Sequence, residues 1–246
     1  CANKTDWREA REAIDALYGY DKYDGPCHIV PNHSIVLASL ILGGNDFHRS
    51  VMIASSAAWD TDCNAGNIGC LNGIRLGLNA LNEKVDLRTP IADKMLVVTS
   101  DSGACISDAV IETRKIIRAA AALNNEDLTD QSEKRFTFEY PGSLQGFSIC
   151  PYSDVLVQDI QLTNPSELDE KRGLTVHLNN CSKKVPADIS TPTFVDQKEL
   201  IQNFSTISSP TLYSGQNVEA VLSTELENIY VEPYVLVYEL DNNITK

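Results

Sequence analysis

The sequence predicts two architectures in succession: an all-α helical bundle portion over residues 1–125, then an antiparallel β-sandwich over residues 135–246. Three observations predict this. The apolar residues recur at helical spacing up to about Asn125 and at period two from Arg135 onward. Pro, Gly, Asn and Ser cut the second part into short runs, the pattern of spaced antiparallel strands. Residues 124–134, between the two parts, are polar and acidic and read as a linker.

Each element follows from local signals. Asp6 is placed to cap a helix, Glu9 completes a capping-box pattern, and Trp7, Ala10, Ile14 and Leu17 fall on one face. Residues 35–42 are apolar all round, which predicts a helix buried on every side. Residues 47–58 and 67–81 read as further helices, and Ser107 is placed to cap another that runs to Leu123. Residues 86–101 read as a loop with a short strand at 95–99. The best strands of the second part are 136–140, 155–162, 174–178, 218–222 and 234–240.

Composition narrows the function classes. The 246 residues allow one large domain or two ordinary ones. A net charge of −14 argues against a nucleic-acid backbone or an anionic membrane as partner, because both call for a basic face. No apolar run reaches the ~18 residues of a spanning helix. The seven cysteines are scattered with no C-x-x-C, which suits neither a disulfide scaffold nor a zinc ribbon. They read as thiols of a reducing compartment, so a cytoplasmic location is expected. Five N-x-S/T triplets, at Asn3, Asn32, Asn180, Asn203 and Asn243, keep secretion open. The chain starts at Cys1 and not Met, and is expected to be processed or part of something longer.

The densest polar cluster is Trp59-Asp60-Thr61-Asp62-Cys63-Asn64-Ala65-Gly66-Asn67. Two carboxylates one residue apart can share a hard cation and stay ionised. The plainer alternative is that Asp60 or Asp62 caps the next helix. An EF-hand is excluded, because Ala65 stands where that loop needs Gly and Leu71 where it needs a bidentate Glu. The phosphatase loop of the haloacid dehalogenase fold needs a preceding buried strand and an α/β alternation that this sequence lacks. His28 and His33 lie five apart, off helical metal spacing, and suit loop packing or substrate contact. Cys27 beside His28 is a thiol–imidazole pair only if the two side chains face each other. Tyr18, Tyr20 and Tyr23 suit either a nucleotide pocket or packing on helices.

Asp60-Thr61-Asp62, then Ala65, then Gly69 and Gly73, resembles the C-terminal metal motif of the ADP-ribosylglycohydrolase family. Trp7, the 18–31 loop, the apolar 35–42 helix and the stretch from 86–108 into Phe138-Glu-Tyr-Pro-Gly-Ser-Leu-Gln-Gly-Phe147 are similar to the C-terminal part of its long members, in which a β-sandwich follows. Gly69, Gly73 and Gly77 share one helix face, which predicts close approach of a neighbouring backbone. The resemblance implies a binuclear Mg²⁺ site that hydrolyses ADP-ribosyl N- or O-glycosidic linkages, on an ADP-ribosylated protein or a small-molecule ADP-riboside. It places metal ligands on Asp60, Asp62 and the following residue, Cys63.

Two departures qualify that implication. The third ligand of the family is a Thr hydroxyl, and Cys63 offers a soft sulfur poorly suited to Mg²⁺. The family's Gly-Gly before the motif is replaced by Ala58-Trp59. The family's other acidic ligands come from an N-terminal T-D-D-type segment, which nothing before Asp60 supplies; Asp21 and Asp24 lack that pattern. This chain is therefore expected to hold half a metal site, to need the N-terminal remainder of a parent protein, and to be inactive alone. The alternative is a non-catalytic binding or scaffold protein that retains the bundle, with the sandwich as a carbohydrate- or protein-binding module.

Overall fold

The structure is a computed structural model that describes residues 5–96, 104–128, 134–151, 159–165, 173–195, 210–238 and 244–245. It divides into two units, Cys1–Thr211 and Leu212–Lys246. The 124–134 stretch expected as a linker falls inside the first unit, with its residues 129–133 outside the described ones.

The first unit opens with four helices: α1 (Trp7–Tyr18), α2 (Ile29–Gly43), α3 (Phe47–Ser56) and α4 (Thr61–Asn82). Asp6 caps α1 by accepting from the Arg8 backbone N–H, and Asp46 caps α3 by accepting from that of Arg49. Ile14 of α1 meets Ile35 and Ala38 of α2 and Ala57 beyond α3, with Trp7 and Trp59 packed alongside. Val36, Ala54 and Ile68 tie α2, α3 and α4 together. The packing is one-sided. Leu17 is exposed where the helical period expects burial. Val30, Leu37 and Ile41 leave one face of α2 open, Ile41 at 64% exposure, so the expectation of burial on every side fails.

The glycines also differ from expectation. A Cβ added to Gly69 or Gly73 would meet nothing within 4 Å among the described residues, so that ridge receives no neighbouring backbone from them. The close approach is at Gly43, where a Cβ would lie 2.7 Å from the Cα of Ser50 on α3. Gly77 instead kinks α4, with φ 78° and ψ 177°, a backbone essentially closed to other residues.

Beyond α4, a 3-10 turn (Thr89–Ile91) leads to β1 (Lys94–Leu96), which pairs antiparallel with β2 (Ile106–Asp108). Asp108, not Ser107, caps α5 (Ala109–Leu123), accepting from the N–H groups of Val110 and Ile111. Ser107 donates to Glu112 instead. Arg88 fastens this region: it forks onto Asp93 at 3.0 and 2.8 Å and donates to the Pro141 carbonyl at 2.7 Å.

No β-sandwich forms among the described residues. In the first unit β3 (Ser148–Ile149) pairs with β6 (Ile189–Ser190), and β4 (Ile160–Thr163) with β5 (Thr175–Leu178), each a two-stranded antiparallel ribbon. The expected strand at 136–140 is a loop held by side chains. Gln145 accepts from the N–H groups of Thr137 and Phe138, and Asn164 donates to the carbonyls of Phe138, Tyr140 and Ser143. Its alternating Phe136 and Phe138 pack with Phe147 and not across a sheet. Residues 155–158, half of the strand expected at 155–162, lie outside the described residues, and its residues 160–162 fall within β4. In the second unit, β7 (Val237–Tyr238) pairs with β8 (Ile244–Thr245). The strand expected at 218–222 forms no ladder, and its Val218 and Val221 are exposed at 76% and 91%. Among the described residues, no helix is long and apolar enough to cross a membrane.

Candidate metal centre

The loop from α3 to α4 sets the position of the acidic pair. Ala58 and Trp59 both take left-handed backbone, φ 65° and 64°, the conformation glycine adopts most readily. Such residues cost about 1–2 kcal/mol each, so the turn needs outside support. Trp59 receives it. Its ring stacks on Tyr20 with centroids 5.5 Å apart and planes within 2°, and the Arg11 guanidinium lies 4.4 Å from its centroid. Arg11 also donates to the Ala57 carbonyl at 3.2 Å, so α1 holds both ends of the turn.

Asp60 stands at the N-cap position of α4, but its side chain makes no capping hydrogen bond. That decides against capping as its role. Its Oδ2 accepts instead from the Nδ2 of Asn32 on α2, at 3.4 Å. Donor atoms of Asp60, Asp62 and Cys63 all lie within 4.8 Å of one another. The backbone N–H of Asp62 itself, then the hydrogen bond shared with Asp60 and the N–H of Cys63, hold the Asp62 carboxyl below the usual carboxylate range. The hydrogen bond to Asp60 and the two negative charges push the Cys63 thiol up.

Tested against Mg²⁺, the donor set fits in part. Two carboxylates at a helix N-terminus, one of them free of capping, suit a hard cation that keeps several waters. The soft sulfur of Cys63 does not. No ion is part of the structure.

The other expected residues separate from this cluster. His28 precedes α2 and packs edge-on against Tyr20 at 4.5 Å and tilted against Tyr23 at 5.2 Å, so its ring serves the aromatic cluster. His33 is exposed on α2, and Asp21 pairs with Lys22 at 2.8 Å. Cys27 and Cys63 are exposed free thiols, and no disulfide joins the described cysteines. Sequence reasoning missed Asn32, treated there only as part of a glycosylation triplet. The signal was available: Asn32 is a polar residue in an apolar helix, and it is buried at 6% exposure. It also missed Arg11.

The family model described as ADP-ribosylglycohydrolase matches residues 2–123. That segment belongs to the ADP-ribosylglycohydrolase family. The match takes in α1 to α5 and the Asp60-Thr61-Asp62 cluster, and ends at the last residue of α5. No curated protein and no solved structure matches the chain. Within the ADP-ribosylglycohydrolase segment, the turn ahead of the cluster keeps glycine-like backbone at Ala58 and Trp59, stabilised by Tyr20 and Arg11.

Proposed function

We propose that the chain carries part of a magnesium-dependent hydrolase that cleaves ADP-ribosyl linkages, on a modified protein side chain or a small-molecule ADP-riboside. The observation that carries this reading is the convergence of Asp60 and Asp62 at the start of α4, inside the ADP-ribosylglycohydrolase segment. Asp60 and Asp62 would hold the cation, the Asp62 carboxyl being held below the usual carboxylate range by backbone N–H groups. Held by Asp60 and Asp62, a Mg²⁺ ion would supply Lewis-acid chemistry toward ribose oxygens and an attacking water. Cys63 beside the pair offers a soft sulfur in place of a hard ligand.

Mg²⁺ prefers six oxygens, and two ions need bridging acids beyond these two. Among the described residues, Asp60, Asp62 and Cys63 are the grouping of metal-ligating side chains. The remaining acids are proposed to come from an N-terminal remainder of a parent protein. Catalysis depends on fixed positioning, so a site lacking half its ligands loses most of its rate. Cys63 is the specific feature that favours a second reading, a bundle kept for binding with catalysis lost.

The test is release of free ADP-ribose from ADP-ribosylated peptide in the presence of Mg²⁺. The parent protein is expected to release it, residues 1–246 alone to release none, and Asp62→Ala in the parent to stop release with the melting midpoint unchanged. Turnover by residues 1–246 alone contradicts the divided site. A parent inactive on every ADP-ribosyl linkage supports the binding reading.

A further inference from the structure

Asn32 joins two parts of the centre. Its Oδ1 accepts from the Tyr20 hydroxyl at 2.9 Å, and its Nδ2 donates to Asp60 at 3.4 Å. A carboxylate only accepts, so the Asp60 end fixes the orientation of the amide and leaves Oδ1 to accept from the Tyr20 hydroxyl. A flipped amide would set its carbonyl against the Asp60 carboxylate. Tyr20 in turn is held between Trp59 and His28, stacked on the first and edge-on to the second. One oxygen of Asp60 is thereby tied to the first turn of α2 through Asn32 and, through Asn32 and Tyr20, to the turn after α1.

We infer that Asn32 is a positioning residue of the metal centre, locking Asp60 in one rotamer, with Tyr20 acting through it. This rests on the reading of Asp60 and Asp62 as cation ligands. Asp60 sits at the helix start with no capping bond to fix its side chain, so Asn32 supplies the restraint that the cap would have given. Partners behind a metal ligand commonly govern affinity by 10–100-fold because they hold the ligand in its binding geometry.

The experiment titrates Mn²⁺, a paramagnetic stand-in for Mg²⁺, into the 246-residue chain and reads free ion by electron paramagnetic resonance. Asn32→Ala is expected to raise the Kd about 10-fold. Tyr20→Phe keeps the ring stacking, and is expected to raise the Kd by roughly threefold with little change in melting midpoint. The double variant is expected to bind no more weakly than Asn32→Ala, because the Tyr20 hydroxyl, which is all that Tyr20→Phe removes, has no route to the cation except the amide. A purely structural role would move the melting midpoint and leave the affinity non-additivity absent. Additive losses, or a Tyr20→Phe affinity equal to wild type, overturn the inference; the second outcome decides even if Asn32→Ala fails to fold. Wild-type protein that takes no Mn²⁺ overturns the metal reading and this inference with it, whereas wild-type binding with unaffected variants overturns this inference alone.

Discussion

Ala58 and Trp59 adopt the same left-handed backbone for different reasons, and substitutions should separate them. Ala58 is exposed, so its backbone cost is relieved by Ala58→Gly, offset in part by the greater freedom of the unfolded chain. The expected result is unchanged stability or a gain of up to about 1 kcal/mol. Trp59 is held by the Tyr20 stack and the Arg11 guanidinium, so Trp59→Gly should destabilise by about 2 kcal/mol despite relieving the same strain. Urea denaturation of both variants checks the pair. A gain in both would mean that the aromatic stack contributes nothing. The replacement of two glycines was visible in the sequence, but the support was not. Tyr20 and Arg11 lie 39 and 48 residues away from Trp59 in the chain, and only the packing of α1 on α2 brings them to its ring.

At the scale of elements, α1 to α5 were legible because their caps and apolar periods act locally. Asp6 caps α1 and α5 ends at Leu123 as expected, whereas Asp46 was not singled out as the cap of α3 and Asp108 replaces Ser107 as that of α5. Glycine roles were not legible, since spacing alone does not show what lies opposite a helix face. Gly73→Ala should therefore stabilise by about 0.5–1 kcal/mol, from helix propensity with no neighbour to disturb. Gly43→Ala should destabilise by roughly 1–3 kcal/mol, because the new methyl meets the backbone of α3 and forces α2 away from it. Thermal melts of the two single variants distinguish the cases by sign. The strands failed as predictions for a related reason. Alternation at 136–140 and 218–222 describes a β-competent chain, yet Gln145 and Asn164 claim the backbone of the first, and the second meets no partner ladder among the described residues.

Across the whole molecule, charge pairs link distant segments and set the response to acid. Lys84, just beyond α4, donates to Asp46 at the start of α3, and that bond, followed by the Arg49 N–H, holds the Asp46 carboxyl below its ordinary value. Lys115 and then Ser107 do the same for Glu112. A carboxyl with a depressed folded pKa contributes stability above its unfolded value, near 4, and loses it as pH falls through the lower folded value. The melting midpoint should thus be flat between about pH 7 and 5 and decline below about pH 4, modestly, since both groups are partly exposed. The larger effect belongs to Arg88, whose side chain is 12% exposed against Asp93 at 6%. Arg88→Met leaves Asp93 buried without its partner and should cost about 3 kcal/mol.

The central claim is that Asp60 and Asp62 form a cation site, and Mg²⁺ titration calorimetry tests it most directly. Wild-type protein should bind with weak but saturable heat, as expected where two carboxylates and waters complete the coordination. Asp60→Ala and Asp62→Ala should each abolish that heat while the helical circular dichroism signal stays unchanged. Mg²⁺ heat in the variants equal to that of wild type, or none in wild type at any concentration, would contradict the account.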